Sequence, residues 1–221
     1  MLSQAIGGSL PSAVGVALSP LPIVAVILML GTPKARSTGI AFALGWIVGL
    51  AAVSAVVLLV VPASTPGSTS ADGVRWGTLC LGVLFVLMAL RQLRKRPRGG
   101  AQPETPTWMA AIDGFTTPRS GALGVALSAL NPKNLALTAA AAAAIAQQGL
   151  PTGGDVVAVT VFVVIASLTI VGPVVLFLVA ERRVAGLLQT IKTFMMEHNA
   201  VIMFVVLLVL GVKLIGSGIA G

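Results

Sequence analysis

The chain has 221 residues, of which 57% are hydrophobic and only 9% charged, with a mean hydropathy of +1.03. A soluble domain carries roughly 25% charged residues, so this composition excludes a protein whose whole surface faces water. The formal charge of +8 and isoelectric point near 11.2 raise nucleic acid as a partner. The basic residues, however, cluster in loops between apolar segments and accompany no nucleic-acid-binding motif, so they read as topology determinants and contacts to anionic lipid.

The N-terminus, Met1-Leu2-Ser3-Gln4, has no basic stretch before its apolar run. A retained first helix is therefore expected rather than a cleaved signal peptide. Six apolar runs follow, at 10–30, 37–61, 74–91, 120–147, 155–180 and 199–219, each near the roughly 20 residues that a spanning helix needs. Residues 37–71 and 156–180 carry no charge at all. The runs are continuous, whereas a membrane barrel alternates in ten-residue segments, so helices are expected. The connectors carry turn residues: Gly31-Thr32-Pro33, the Pro-, Ser-, Thr- and Gly-rich stretch 62–70, the long loop 92–119 and the short loop 149–154.

Lysine and arginine orient the spans. The first loop holds Lys34 and Arg36; the third holds Arg94, Lys95, Arg96, Arg98 and Arg119, with Arg91 at its edge; the fifth holds Arg182, Arg183 and Lys192. The second has only Arg75 at its far end and the fourth has none. All basic loops are odd-numbered, which the positive-inside rule makes cytoplasmic. An inner-membrane location with both termini extracytoplasmic follows.

Residues 15–22 read Gly-Val-Ala-Leu-Ser-Pro-Leu-Pro and residues 124–132 read Gly-Val-Ala-Leu-Ser-Ala-Leu-Asn-Pro. Five consecutive identities thus occupy the same place in spans one and four, each followed by a proline break. Chance competes, because these residue types are abundant. A true repeat of three spans would be inverted in the membrane, as in many transporters. The expected fold is all-α and integral to the membrane: six transmembrane helices in two inverted three-helix repeats, 1–91 and 120–221, with broken first and fourth helices and the basic loop 92–119 between the repeats.

Pro20 and Pro22 together break a helix rather than bend it. Pro20 lies about 15 Å along a helix that starts near Leu10. The freed carbonyls face either packed neighbours, as a structural kink, or a wet cavity. In Asn131-Pro132-Lys133-Asn134, Lys133 falls roughly 20 Å along the fourth span. Lysine at that depth costs at least ~2.5–3.5 kcal/mol, which calls for a cavity, an anionic partner or a substrate. The alternative starts the helix at Asn134 and leaves Lys133 at the interface. A residual span of 134–150, half alanine, crosses poorly.

These features resemble the LysE superfamily of exporters, and within it the actinobacterial GAP/Sap family of glycopeptidolipid- and sulfolipid-addressing proteins. The resemblance is carried by Ala17-Leu18-Ser19-Pro20-Leu21-Pro22, the stretch 39–49 around Trp46, Leu90-Arg91-Gln92, Asp113-Gly114 and Leu130-Asn131-Pro132-Lys133-Asn134-Leu135. It runs through nearly the whole chain and implies export of an envelope glycolipid. The first-span motif departs from the Pro-Gly pattern of amino-acid exporters, which argues against an amino-acid substrate.

The expected substrate site comprises Ser19, Pro20, Pro22, Ser128, Asn131, Pro132, Lys133 and Asn134, with Asp113 and Arg119 as gating or partner charges. Lys133 would attract an anionic group and Asn131 would hydrogen-bond it. Ser54, Thr138, Ser167, Thr169 and, as the alternative to its place in the site, Ser128 read as packing hydroxyls, Gly172-Pro173 as a kink and Lys213 as a snorkelling lysine. Cys80, the only cysteine, reads as a small packing residue, and His198 is the only histidine, so neither a metal site nor a cofactor is expected. No acidic residue lies clearly inside a span and no Walker motif is present. No enzyme is expected, since no nucleophile–base set lies within the spans. The expected partners are the lipid bilayer, an envelope lipid or small anionic substrate, a cytoplasmic lipid-synthesis enzyme at the basic loop, and a second copy in a homodimer. Two other functions stay open: a LysE-type exporter of a small polar metabolite, and a non-transporting scaffold for lipid-synthesis enzymes.

Overall fold

The computed structural model describes residues 1–61, 70–94 and 112–220. In lipid every backbone group must find its partner inside the protein, and every regular element among these residues is helical. Helix α1 covers Leu2–Ala17 and α2 Pro20–Leu30, α3 covers Ala35–Val60 and α4 Ser70–Arg94. A one-turn 3-10 helix at Ile112–Gly114 precedes α5, Thr117–Val125. A π-helical turn at Ala126–Leu130 leads to α6, Pro132–Ala146, followed by α7, Thr152–Glu197, and α8, Asn199–Ala220.

Three segments are long and apolar enough to cross a membrane by themselves: Ala35–Val60, Thr152–Ala180 and Asn199–Ile219. The pair α1 and α2, bent by 54°, passes the same test only when taken together, as one broken span or a re-entrant loop. Their outer faces are apolar, with Leu59 87% and Val179 82% exposed. Surfaces of that kind are stable only against hydrocarbon, and the chain is a multi-pass membrane protein.

Helix α3 packs on α5, the π turn and α6; α1 packs on α6 and α7; α2 packs on α7 and α3; and α4 packs chiefly on α8. The core between them holds Met29, Phe42, Trp46, Leu50, Phe85 and Phe162, all enclosed. Hydrophobic side chains gain little from packing in lipid, so close backbone approach at small residues takes over. A Cβ built on Gly45 would fall on the carbonyl oxygen of Gly121, and one on Gly124 would fall on the carbonyl oxygen of Phe42. Across the α4–α8 contact, a Cβ on Gly82 would stand 2.9 Å from the carbonyl oxygen of Gly211, and the reverse is equally close.

Several expectations need correction. The first span starts at Leu2, not near residue 10, because Pro11 is carried inside the helix. The fourth breaks as expected, dividing into α5, the π turn and α6, and it begins at Thr117 rather than near residue 120. Gly172-Pro173 leaves the backbone helical, and the chain departs from helical angles only at Ala180 (φ −141°, ψ 43°). Residues 181–197, read from charge as loop, are helical. They lay an apolar stripe of Val184, Leu188, Ile191 and Met195 onto the core, an amphipathic spacing that the charges mask in the sequence. Cys80 is exposed rather than packed. The expected features at the side chains of Arg75, Arg94 and Asp113, and at Lys95, Arg96 and Arg98, lie outside the described residues.

Candidate functional site

The first break follows from the prolines. Neither Pro20 nor Pro22 can donate to the preceding turn, so α1 ends at Ala17 and Ser19 (φ −96°, ψ 103°) caps a new helix with Pro20 at its first position. The second break has the same form. Asn131 (φ −68°, ψ 118°) caps α6 ahead of Pro132, and its side-chain oxygen accepts the Lys133 backbone N–H at 3.1 Å. Proline after an Asn or Ser cap is a favoured helix start. In sequence the repeat aligns Ser19 with Ser128, yet the second break comes three residues later. The π turn carries the helix on to Leu130, with the Asn131 N–H reaching back to the Ala126 carbonyl at 3.2 Å.

The freed carbonyls are taken up by side chains from other elements. The Lys133 ammonium donates to the Gly15 carbonyl at 2.8 Å, and Thr169 of α7 donates to the Ala17 carbonyl at 2.6 Å. Asn134 joins the two breaks. Its side-chain oxygen accepts from Ser19 Oγ at 2.7 Å, and its amide donates to the Leu127 carbonyl, freed by the π turn, at 2.9 Å. Ser19, Lys133 and Asn134 are 4%, 4% and 0% exposed.

Beside these residues is a pocket of about 210 Å³ lined by Ser19, Pro20, Leu21, Pro22, Gln92, Asn131, Lys133, Asn199 and Met203. It is built where three helices begin: α2, α6 and α8. Helix starts carry partial positive charge, and Lys133 adds the donors of its side-chain nitrogen. An ammonium has three donors. Lys133 uses one on Gly15, has only the Met203 sulfur at 4.0 Å besides, and pairs with no carboxylate among the described residues. The arrangement is a cationic, hydrogen-bonding cup with spare donors.

Of the residues singled out in the sequence, Ser19, Pro20, Pro22, Asn131 and Lys133 line this pocket. Asn134 stands behind it as the tie between the breaks, and Pro132 opens the helix that carries Lys133. Ser128 is placed elsewhere: its hydroxyl returns to the Gly124 carbonyl at 2.9 Å, and it is buried against Gly49 of α3. Arg119 is exposed on α5, away from the pocket. Sequence reasoning missed Gln92, Asn199, Met203 and the cross-helix role of Thr169. The amides of Gln92 and Asn199 at the ends of apolar runs were a usable signal, since polar side chains there face either headgroups or a site. Met203 had none.

A helical multi-pass membrane protein with a buried cationic cup between two broken helices is the class that these observations define. The family described as Sap, sulfolipid-1-addressing protein, matches residues 10–220, and the chain belongs to that family. Comparison with curated proteins and with solved structures gives no match.

Proposed function

We propose that the chain is a transporter of the inner membrane that moves an anionic envelope lipid or similar amphiphile, holding its anionic group at Lys133. The observation that carries this reading is a 4% exposed lysine without a carboxylate partner among the described residues, lining a pocket where three helices start. A buried amine without a carboxylate holds its charge best when an anionic group is brought to it, and the substrate would supply that group. The family's description, sulfolipid-1 addressing, favours a sulfated or otherwise anionic lipid over a small polar metabolite.

The depth fits passage across a bilayer. Helix α2, 11 residues, separates the pocket from the turn at 31–34 by about 16 Å, and α6, 15 residues, separates it from the opposite connector by about 22 Å. The packing also supports two inverted repeats. The first broken helix packs on α7 while the second packs on α3, and α4 pairs with α8, as a two-fold exchange of three-helix units requires. Gln92 and Asn199 adjoin the connectors rich in lysine and arginine, so the pocket opens toward the side that the positive-inside rule makes cytoplasmic. That is where a newly made lipid would enter.

Mass spectrometry of the surface-extractable envelope lipids tests this. A deletion strain complemented with Lys133→Met should lose the exported anionic lipid as completely as the deletion itself, with the protein present at normal level in the membrane. Normal export by that variant would end the proposal. Neutralising Arg94, Lys95, Arg96 and Arg98 should leave export largely intact, whereas a scaffold for lipid-synthesis enzymes would fail there and tolerate Lys133→Met.

A further inference from the structure

We infer that the seam between α1 and α8 is the path along which the anionic group leaves the pocket, with Lys213 as its second binding station. The inference rests on the transport reading and carries it beyond the pocket. Helices α4 and α8 pack chiefly on each other, and the pocket lies where this pair meets the rest of the bundle. Gln92, Asn199 and Met203 come from the pair, while Ser19, Pro20 and Lys133 face them from the other side. From Asn199, α8 brings Met203 to 4.0 Å from the Lys133 side-chain nitrogen and lays Leu210 against Gly15 of α1. Lys213 then donates across the same seam to the Gly8 carbonyl at 3.2 Å.

The two lysines use α1 in the same way. Lys133 bonds the Gly15 carbonyl and Lys213 the Gly8 carbonyl. These acceptors are seven residues apart, two turns of one helix, so they share a face and lie about 10 Å apart along the axis. Proline disturbs the ladder of α1 at each place. Pro11 has no N–H to offer the Gly7 carbonyl, and α1 ends at Ala17 ahead of Pro20. Between the stations, Leu210 and Leu137 close on Gly15 through the ends of their side chains. Such a closure can part by a change of rotamer, unlike the backbone contact of Gly82 with Gly211 that ties α8 to α4.

Snorkelling does not account for Lys213. A lysine that snorkels carries its nitrogen toward the headgroups. Lys213 lies six residues, about 9 Å, from the end of its span at Ile219, and its nitrogen is held at Gly8, equally far from the start of α1 at Leu2. It stays at the depth where its helix places it. A protonated amine has three donors; this one has a single acceptor and no carboxylate among the described residues, as at Lys133. The side chain is also exposed at the surface of the bundle. An amphiphile can therefore keep its tails in hydrocarbon while its anionic group passes from one lysine to the next.

Photolabelling locates the stations. The full-length chain in phosphatidylcholine nanodiscs is irradiated with a C16 alkyl sulfate that bears a diazirine beside the sulfate, and adducts are mapped by peptide mass spectrometry. Saturable adducts should fall in two groups, one on the pocket residues and one on 4–14 and 209–216. Lys213→Met should lower the second group at least fivefold and leave the first within twofold, whereas Lys213→Arg should retain both. The matching C16 alcohol should give no saturable adduct in either. Export of the anionic lipid by cells carrying Lys213→Met should fall at least fivefold with the protein at normal level in the membrane. Adducts of the second group that rise linearly with probe, or that survive Lys213→Met, would make Lys213 a lipid-facing anchor and overturn the station. Absence of the pocket group from the unaltered chain would instead sink the transport reading.

Discussion

Asn134 has no charge and barely reaches the pocket, yet it holds both breaks in place. Its two hydrogen bonds satisfy Ser19 Oγ and the Leu127 carbonyl, and replacing it strands both groups in a water-poor interior. An unsatisfied buried group costs about 1–3 kcal/mol, while a typical interhelical bond in a membrane averages only about 0.6 kcal/mol. At about 1–3 kcal/mol for each stranded group, Asn134→Leu, which strands two, should destabilise the protein more than Ser19→Ala, which strands only the Asn134 side-chain oxygen. Reversible unfolding in mixed micelles measures both; equal losses would deny Asn134 this role. Lys133 differs in kind. Its ammonium caps one freed carbonyl, but its remaining donors are spare, so Lys133→Met should cost export far more than stability.

At the scale of elements, proline decides where helices stop and glycine decides how near they come. Helices α3 and α5 touch backbone to backbone at Gly45 and Gly124, a contact that no side chain can enter. Gly45→Leu or Gly124→Leu should abolish the monodisperse peak of detergent-solubilised protein on size exclusion. Gly7→Leu, where a Cβ meets nothing within 4 Å, should leave it unchanged. Comparable damage from Gly7→Leu would mean that the contact is not what the glycines serve. The proposed repeat rests in sequence on five shared residues, and these do not give the position of the second break. One extra turn of π-helix moves the second break from the position of Ser128 to Asn131, a shift set by how the chain satisfies the Ala126 and Leu127 carbonyls. Ser128 was consequently assigned to the site although its hydroxyl caps its own helix.

For the whole molecule, the lysines and arginines of the connectors predict topology. On a Cys80→Ser background, single cysteines at Ser37 and Thr193 should react with a membrane-impermeant maleimide only after the cell is permeabilised. One at Gly153 should react in intact cells. Labelling of Ser37 and Gly153 from the same side would dissolve the inverted arrangement and the transport path with it. The helix at 181–197 belongs to this scale too. Charge marked it as connector, while its apolar stripe against the core is seen only once the surface that it covers exists.

Membership of a membrane, helical secondary structure and the two breaks were determined by the sequence alone. Each depends on local chemistry: the hydrocarbon solvent selects apolar runs of bilayer length, and proline removes a donor wherever it stands. The identity of the pocket was decided by tertiary structure. Gln92, Asn199, Met203 and Thr169 come from three further helices, and nothing near them in sequence says which carbonyl or cavity they will meet. The same holds for the lysine. Its cost in lipid could be read from its type and place, but the carbonyl that receives it, 118 positions away, exists as an open acceptor only because another helix breaks beside it.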